Sequence, residues 1–210
     1  MKAPMECSMK KLLVLFLLCL FSAGLLAADP KEGTDYDLIS PAPPKGSGNE
    51  VEVLEFFMYT CPHCKNLDPK LQEWAKKLPE NVKFHHMPAM FGGSANLHAK
   101  TYFALEVMGE AKRLHKPFFK AIHEQKRRLR NQKDIEKFLA ENDVDLDKFR
   151  AAMKSFTVQT KANRAAALMR RYGIRSVPSM VVDGRYRIKN TPTVLETTDM
   201  LIEKTIADRK

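Results

Sequence analysis

Val51-Glu52-Val53-Leu54-Glu55-Phe56-Phe57-Met58-Tyr59-Thr60-Cys61-Pro62-His63-Cys64 is the stretch on which the fold turns. Its first seven residues form a nearly continuous β-prone apolar run, the pattern of a strand buried at the centre of a sheet. From Lys65 to Leu78, Leu67, Leu71, Trp74, Ala75 and Leu78 recur at helical spacing, and Pro79 ends the pattern. A buried strand running through the two cysteines into a helix puts Cys61 at the helix N-terminus and Cys64 one turn in, close enough to bridge. A disulfide there opens and closes without moving the fold. Unpaired backbone N–H groups and the helix dipole stabilise negative charge on Cys61, and His63 adds positive charge or a hydrogen bond. A stabilised thiolate favours the reduced pair, which makes the disulfide a stronger oxidant and Cys61 a better leaving group.

Working outward, Val82 to Met87 is a second expected strand, and Phe91-Gly92-Gly93-Ser94 turns into a long helical region from about Ala95 to Phe156. Breaks in it are expected near Lys116-Pro117 and Asn142-Asp143. A further helical pattern, Val158 to Tyr172, ends at Gly173, a suitable C-cap. Ser179-Met180-Val181-Val182, Asp183-Gly184 and Arg185-Tyr186-Arg187-Ile188 read as a hairpin, since Asp-Gly favours a two-residue turn. Leu195 to Ala207 supplies a last amphipathic helix. Residues 29–50 are rich in Pro, Gly and Ser and read as an exposed arm. The class is α/β, a sheet interrupted in its middle by helices.

The chain has 210 residues, 44% hydrophobic and 29% charged, which suits one soluble globular domain, or one domain carrying a sizeable insertion. Lys10-Lys11, an apolar run from Leu12 to Phe21 and small residues ending at Ala27-Ala28 read as a cleaved signal peptide, residues 1–28. An alternative cut follows Ser22-Ala23-Gly24, and Met9 begins a Met-Lys-Lys start of its own. The first 28 residues hold three of the 35 Lys and Arg and one of the 25 Asp and Glu, leaving 32 against 24, a net +8. The positives are spread along helical stretches and no nucleic-acid motif accompanies them, so no nucleic-acid partner is expected. Lys126-Arg127-Arg128-Leu129-Arg130 reads as a solvated helix face.

Cys7 and Cys19 fall in the removed segment, leaving only Cys61 and Cys64 of the four cysteines. Leu18 stands where a small residue would precede a lipidated cysteine, which argues against an anchor at Cys19. A lone C-x-x-C is also half of a zinc site, but no second cysteine pair exists, and His85 and His86 lie on an expected strand without suitable spacing. Covalent haem attachment needs His where Lys65 stands. His63, His98, His115 and His123 are expected at the surface or half-buried.

A Pro before a β-prone run, as in Arg175-Ser176-Val177-Pro178-Ser179, ordinarily marks a strand start; beside the C-x-x-C it points to a cis Val177–Pro178 bond facing the cysteines. Together Val53–Phe57, Cys61-Pro62-His63-Cys64 and Gly173–Tyr186 resemble the DsbA family of thioredoxin-fold disulfide oxidases. Phe91-Gly92-Gly93 and Ser155-Phe156-Thr157-Val158 are similar to stretches bounding that family's helical insertion. The resemblance runs from about Val51 to the C-terminus. It implies a thioredoxin fold in two parts, residues 51–93 and 158–210, around an inserted helical domain at 94–157.

The resemblance also implies roles. Cys61 is the exposed sulfur that attacks and is attacked, Cys64 resolves the mixed disulfide, and Pro62 and His63 tune the pair. Val177 offers backbone groups to an extended substrate and Pro178 bounds the site. Glu55 matches a family acid that assists proton transfer; a plain strand-edge carboxyl is the other reading. Where the family often has a lysine near that acid, His85 is expected here. The implied activity is periplasmic oxidation of unfolded exported proteins by a monomer whose only redox group is the Cys61–Cys64 disulfide, reoxidised by a DsbB-like membrane partner. No separate cofactor or metal is expected. Two alternatives stay open: a reductase or isomerase kept reduced by a membrane donor, and a non-catalytic peptide-binding module with a groove lined by Met87, Met90, Met108, Met153 and Met169.

Overall fold

The computed structural model describes residues 29–41, 43 and 48–209. The expected signal peptide, with Cys7, Cys19 and the start at Met9, lies outside the described residues. The elements are β1 (Tyr36–Leu38), β2 (Val51–Phe57), α1 (Pro62–Ala75), β3 (Val82–Pro88), α2 (Gly93–Val107), α3 (Ala111–His123), α4 (Gln132–Ala140), α5 (Leu146–Lys154), α6 (Phe156–Arg171), β4 (Ser179–Val182), β5 (Tyr186–Ile188) and α7 (Val194–Ala207).

One mixed sheet has the order β1-β5-β4-β2-β3. β2 is parallel to β3, with α1 as the crossover, and antiparallel to β4. Strand β2 is buried on both faces, as its apolar run requires. Val51 and Val53 join Met180, Val182 and Ile188 under α1 and α7, which contribute Leu71, Trp74, Leu201 and Ile202. Leu54, Phe56 and Val181 belong to the larger cluster built with the helices between β3 and β4. Trp74 Nε1 donates to Asp199 Oδ1 at 2.7 Å and ties α1 to α7.

The β4–β5 turn has Asp183 and Gly184 at φ +54° and +62°, the two left-handed residues of a tight hairpin. Gly173, at φ +61°, ends α6; a Cβ there would come within 2.5 Å of Arg187 Nη1, which donates to the carbonyls of Tyr172 and Gly173.

Three expectations are corrected. Tyr36–Leu38, inside the stretch read as an exposed arm, is an edge strand paired with β5. Its Tyr36 packs edge-on to Tyr186 and Asp37 pairs with Arg187, contacts that three residues of sequence do not announce. Pro117 lies inside α3 rather than at a break. The roughly 3 kcal/mol cost of an interior proline is offset by the buried stripe of Leu114, His115, Phe118 and Phe119, and the chain breaks earlier, at Gly109 with φ +77°. Lys126–Arg130 is a loop, not a helix face: Lys126 and Leu129 have positive φ, Leu129 is buried, and Arg127 pairs with Glu141. The break near Asn142-Asp143 stands, and the next helices start where Asp145 and Ser155 cap them.

Candidate active site

Cys61 is the N-cap of α1, and Pro62 takes the first helical position, where its missing N–H costs nothing. The cap places the Cys64 N–H 3.4 Å from Cys61 Sγ, so the sulfur occupies the position that a serine or aspartate oxygen fills in other helices. Both thiols are free. Cys61 keeps 8% of its surface and Cys64 none, so the expected exposed sulfur is only a sliver, yet the more accessible of the two. Hydrogen bonding from Cys64 is the chief cause that brings the Cys61 pKa down to about 6; burial opposes it, and the His63 backbone N–H and side-chain charge add to the lowering. The partner is affected in the opposite sense. The Cys61 sulfur first, then burial and the charge of nearby Glu55, push the Cys64 thiol far up, so that it holds its proton.

Across from Cys61, Val177–Pro178 is cis, and the Val177 carbonyl lies 3.4 Å from Cys61 Sγ. Val177 is half-buried and Pro178 buried. The loop that leads from α6 into β4 thus brings Val177 and Pro178 against a pair more than a hundred residues away. His63 is exposed and meets the site mainly through its backbone.

Glu55 is buried, 2% exposed, on the central strand. Its neighbour is His86, not His85: the parallel register sets Glu55 opposite His86, whose Nδ1 lies 2.6 Å from Glu55 Oε2, while His85 points to solvent. The expectation missed by one residue, which on a strand reverses the face.

From His86 a polar chain continues under α1. Gln72 Nε2 donates to Asp68 Oδ1 at 3.1 Å and lies 3.1 Å from His86 Nε2. Its two N–H groups therefore serve both neighbours, which leaves His86 Nδ1 to donate to Glu55. Asp68 Oδ1 is 3.3 Å from His115 Nε2, and His115 Nδ1 is 3.0 Å from the Tyr59 hydroxyl. Burial works to raise the Asp68 pKa, but the adjacent His115 imidazole and the Gln72 amide outweigh it and hold it below its ordinary value. Burial lowers the pKa of His115, and likewise that of His98, whose Nε2 donates to the Leu129 carbonyl at 2.7 Å. Both histidines were expected at or near the surface; they are 4% and 2% exposed.

Tyr59, Asp68, Gln72, His86 and His115 are the residues sequence reasoning missed. One signal was available: Asp68 and Gln72 follow Cys64 at successive intervals of four, so they continue the inward face of the cysteine helix. Of the methionines suggested for a groove, Met87 and Met169 are core residues and Met90, Met108 and Met153 pack against that core.

Comparison with known proteins bears on the fold and the family. Residues 71–200 match the family model described as DSBA-like thioredoxin domain, and residues 46–94, which hold the cysteine pair, match the thioredoxin model. The chain is 37% identical to the thiol:disulfide interchange protein DsbA of Azotobacter vinelandii over 90% of its length and 91% of the relative's, and 36% identical to that of Burkholderia cepacia over 96% and 100%. The crystal structure of DsbA from Xylella fastidiosa superposes with a TM-score of 0.80 at 34% identity, covering 86% of this chain and all of that one. That of Pseudomonas aeruginosa DsbA gives 0.80 at 35% identity, covering 85% and 96%. With its thioredoxin-like fold and its paired thiols at a helix N-terminus, the chain belongs to the DsbA family of thiol-disulfide oxidoreductases.

Proposed function

We propose that the protein is an exported oxidase that donates a Cys61–Cys64 disulfide to newly exported proteins in the periplasm. The carrying observation is the asymmetry of the pair, with the Cys61 pKa drawn down to about 6 while Cys64 holds its proton. A client thiolate attacks Cys61 of the disulfide; the Cys61–Cys64 bond breaks and Cys64 leaves, taking up a proton. A second client thiolate then attacks the client sulfur of the mixed disulfide. The client disulfide forms and Cys61 departs as a thiolate, two electrons having passed from client to protein. Stabilisation of that leaving group drives the transfer forward.

Glu55, with His86 on its carboxyl, lies close enough for its charge to act on Cys64, which suits a part in moving that residue's proton. Val177 has a backbone N–H and C=O to offer an extended client chain, while Pro178 has no N–H to give. Pro62 and His63 complete the cap. The reduced pair returns to the disulfide by exchange with a DsbB-type membrane protein. Among the described residues no helix is long and apolar enough to cross a membrane.

The test is the equilibrium redox potential in glutathione buffers, with Cys61 alkylation followed against pH on the same sample. A potential well above that of a thioredoxin-type reductase, with alkylation half-maximal near pH 6, supports the oxidase. A strongly reducing potential with an ordinary thiol pKa overturns it in favour of a reductase supplied by a membrane electron donor.

A further inference from the structure

We propose that Asp68, His86 and His115 form a binding site for a divalent transition-metal ion of the Zn²⁺ type, separate from the thiols. One donor atom from each residue lies within 4.8 Å of the other two, on three different elements: α1, β3 and α3. Ligands about 2.1 Å from a tetrahedral ion stand about 3.4 Å apart. Asp68 Oδ1 and His115 Nε2 are 3.3 Å apart, and the Gln72 amide is 3.1 Å from both Asp68 Oδ1 and His86 Nε2.

Two further observations point to a ligand. His115 is 4% exposed, and its Nε2, although 3.3 Å from Asp68, lies off the line a hydrogen bond needs and has no hydrogen-bond partner. A buried polar atom in that state keeps its desolvation cost uncompensated, and an ion facing it removes that cost. Each histidine is also held by its other nitrogen, His86 Nδ1 by the Glu55 carboxyl and His115 Nδ1 by the Tyr59 hydroxyl, the outer contacts that aim imidazoles at metals.

The donors are reachable. A cavity of about 560 Å³ is lined by Gln72, His86, Tyr102 and His115, which gives an ion a route from solvent. Turning the Gln72 amide over exchanges its nitrogen for its oxygen and converts a donor between Asp68 and His86 into a fourth ligand. An ion bound here cross-links the cysteine helix to β3 and to α3. No thiolate takes part, so the site does not depend on the redox state of Cys61 and Cys64, nor on the oxidase reading.

The experiment uses the protein with its thiols oxidised, so that they cannot take the metal. Zn²⁺ is titrated against a chromophoric chelator, Co²⁺ is followed by its visible ligand-field bands, and the melting temperature is read with and without Zn²⁺. The expected result is one saturable equivalent, a higher melting temperature with Zn²⁺, and an affinity that falls at least about tenfold in His115→Phe and is unchanged in exposed His85→Ala. Phenylalanine suits the ring of aromatic residues around His115; should that variant not fold, Tyr59→Phe, which removes only the outer hydrogen bond, is expected to weaken binding in the same direction. Absence of saturable binding up to about 1 mM Zn²⁺ overturns the site. So does equal affinity in wild type and His115→Phe, which would place the ion on surface imidazoles.

Discussion

The two ends of helix α1 carry different kinds of chemistry. At its start, Cys61 and Cys64 draw their properties from local geometry: an N-cap, a backbone N–H and a spacing of three. Along its inward flank, Asp68 and Gln72 depend on partners from β2, β3 and α3. The thiol end sits at the edge of solvent and exchanges bonds with clients; the flank is a buried polar chain in which a missing partner is expensive. Changes at the first should alter reactivity with little effect on folding, and changes at the second should do the reverse.

Replacing the thiols breaks the comparison most sharply. Cys61→Ser is expected to abolish client oxidation while leaving the urea midpoint, compared with the reduced protein below about pH 6 where the thiolate contributes nothing, almost unmoved. Cys64→Ser should leave Cys61 open to alkylation and accumulate mixed disulfides visible by mass spectrometry; rapid client turnover by Cys64→Ser would refute the assigned order of attack.

The next effect is on pH. Alkylation of Cys61 should be half-maximal near pH 6 and fall about tenfold per unit below it. The same depressed pKa stabilises the reduced folded state, since the unfolded thiol titrates at its ordinary value of 9.0. That contribution is complete above about pH 9, declines as pH falls, and is gone below about 6. Urea midpoints of the reduced form measured against the oxidised form over this range check the sign.

On the flank, His115→Ala removes a ring packed against Phe57, Tyr59 and Phe119 and leaves Asp68 without its neighbour. A loss of about 2–4 kcal/mol is expected from urea unfolding, with the redox potential nearly unchanged. A large shift in potential with little loss of stability would show that the two ends are not separate. Gly173→Ala, at the end of α6, should cost about 1–2 kcal/mol for its left-handed φ and the displacement of Arg187, also read from urea midpoints. The smallest change belongs to His63→Ala: less than about 0.5 kcal/mol in stability and a small rise in the alkylation midpoint, because the backbone N–H at position 63 remains.

The same contrast explains what could be read in advance. The strand Val51–Phe57, the cysteine helix, the Asp183-Gly184 hairpin and the C-cap at Gly173 were legible because each is specified by neighbours in sequence. Errors fell where tertiary contacts decide. Pro117 is accepted within α3 because a buried face offsets it, β1 exists only through its pairing with β5, and the basic loop 126–130 is shaped by the burial of Leu129. Glu55 was singled out from the sequence, but its neighbour was misplaced by one residue, because parity on β3 is set by pairing with β2 and not by the sequence of β3 alone.

By itself, then, the sequence determined the elements around the cysteines and the spacing that lets them bridge, which follow from short-range pattern and residue type, and it carried the motifs on which the family resemblance rests. Only the tertiary structure decided that His86 meets Glu55, that His115 turns an unpartnered nitrogen toward Asp68, and that Val177 closes on Cys61. Those contacts join residues 31, 47 and 116 positions apart, and no local preference of the chain encodes a distance that only the packed sheet and helices impose.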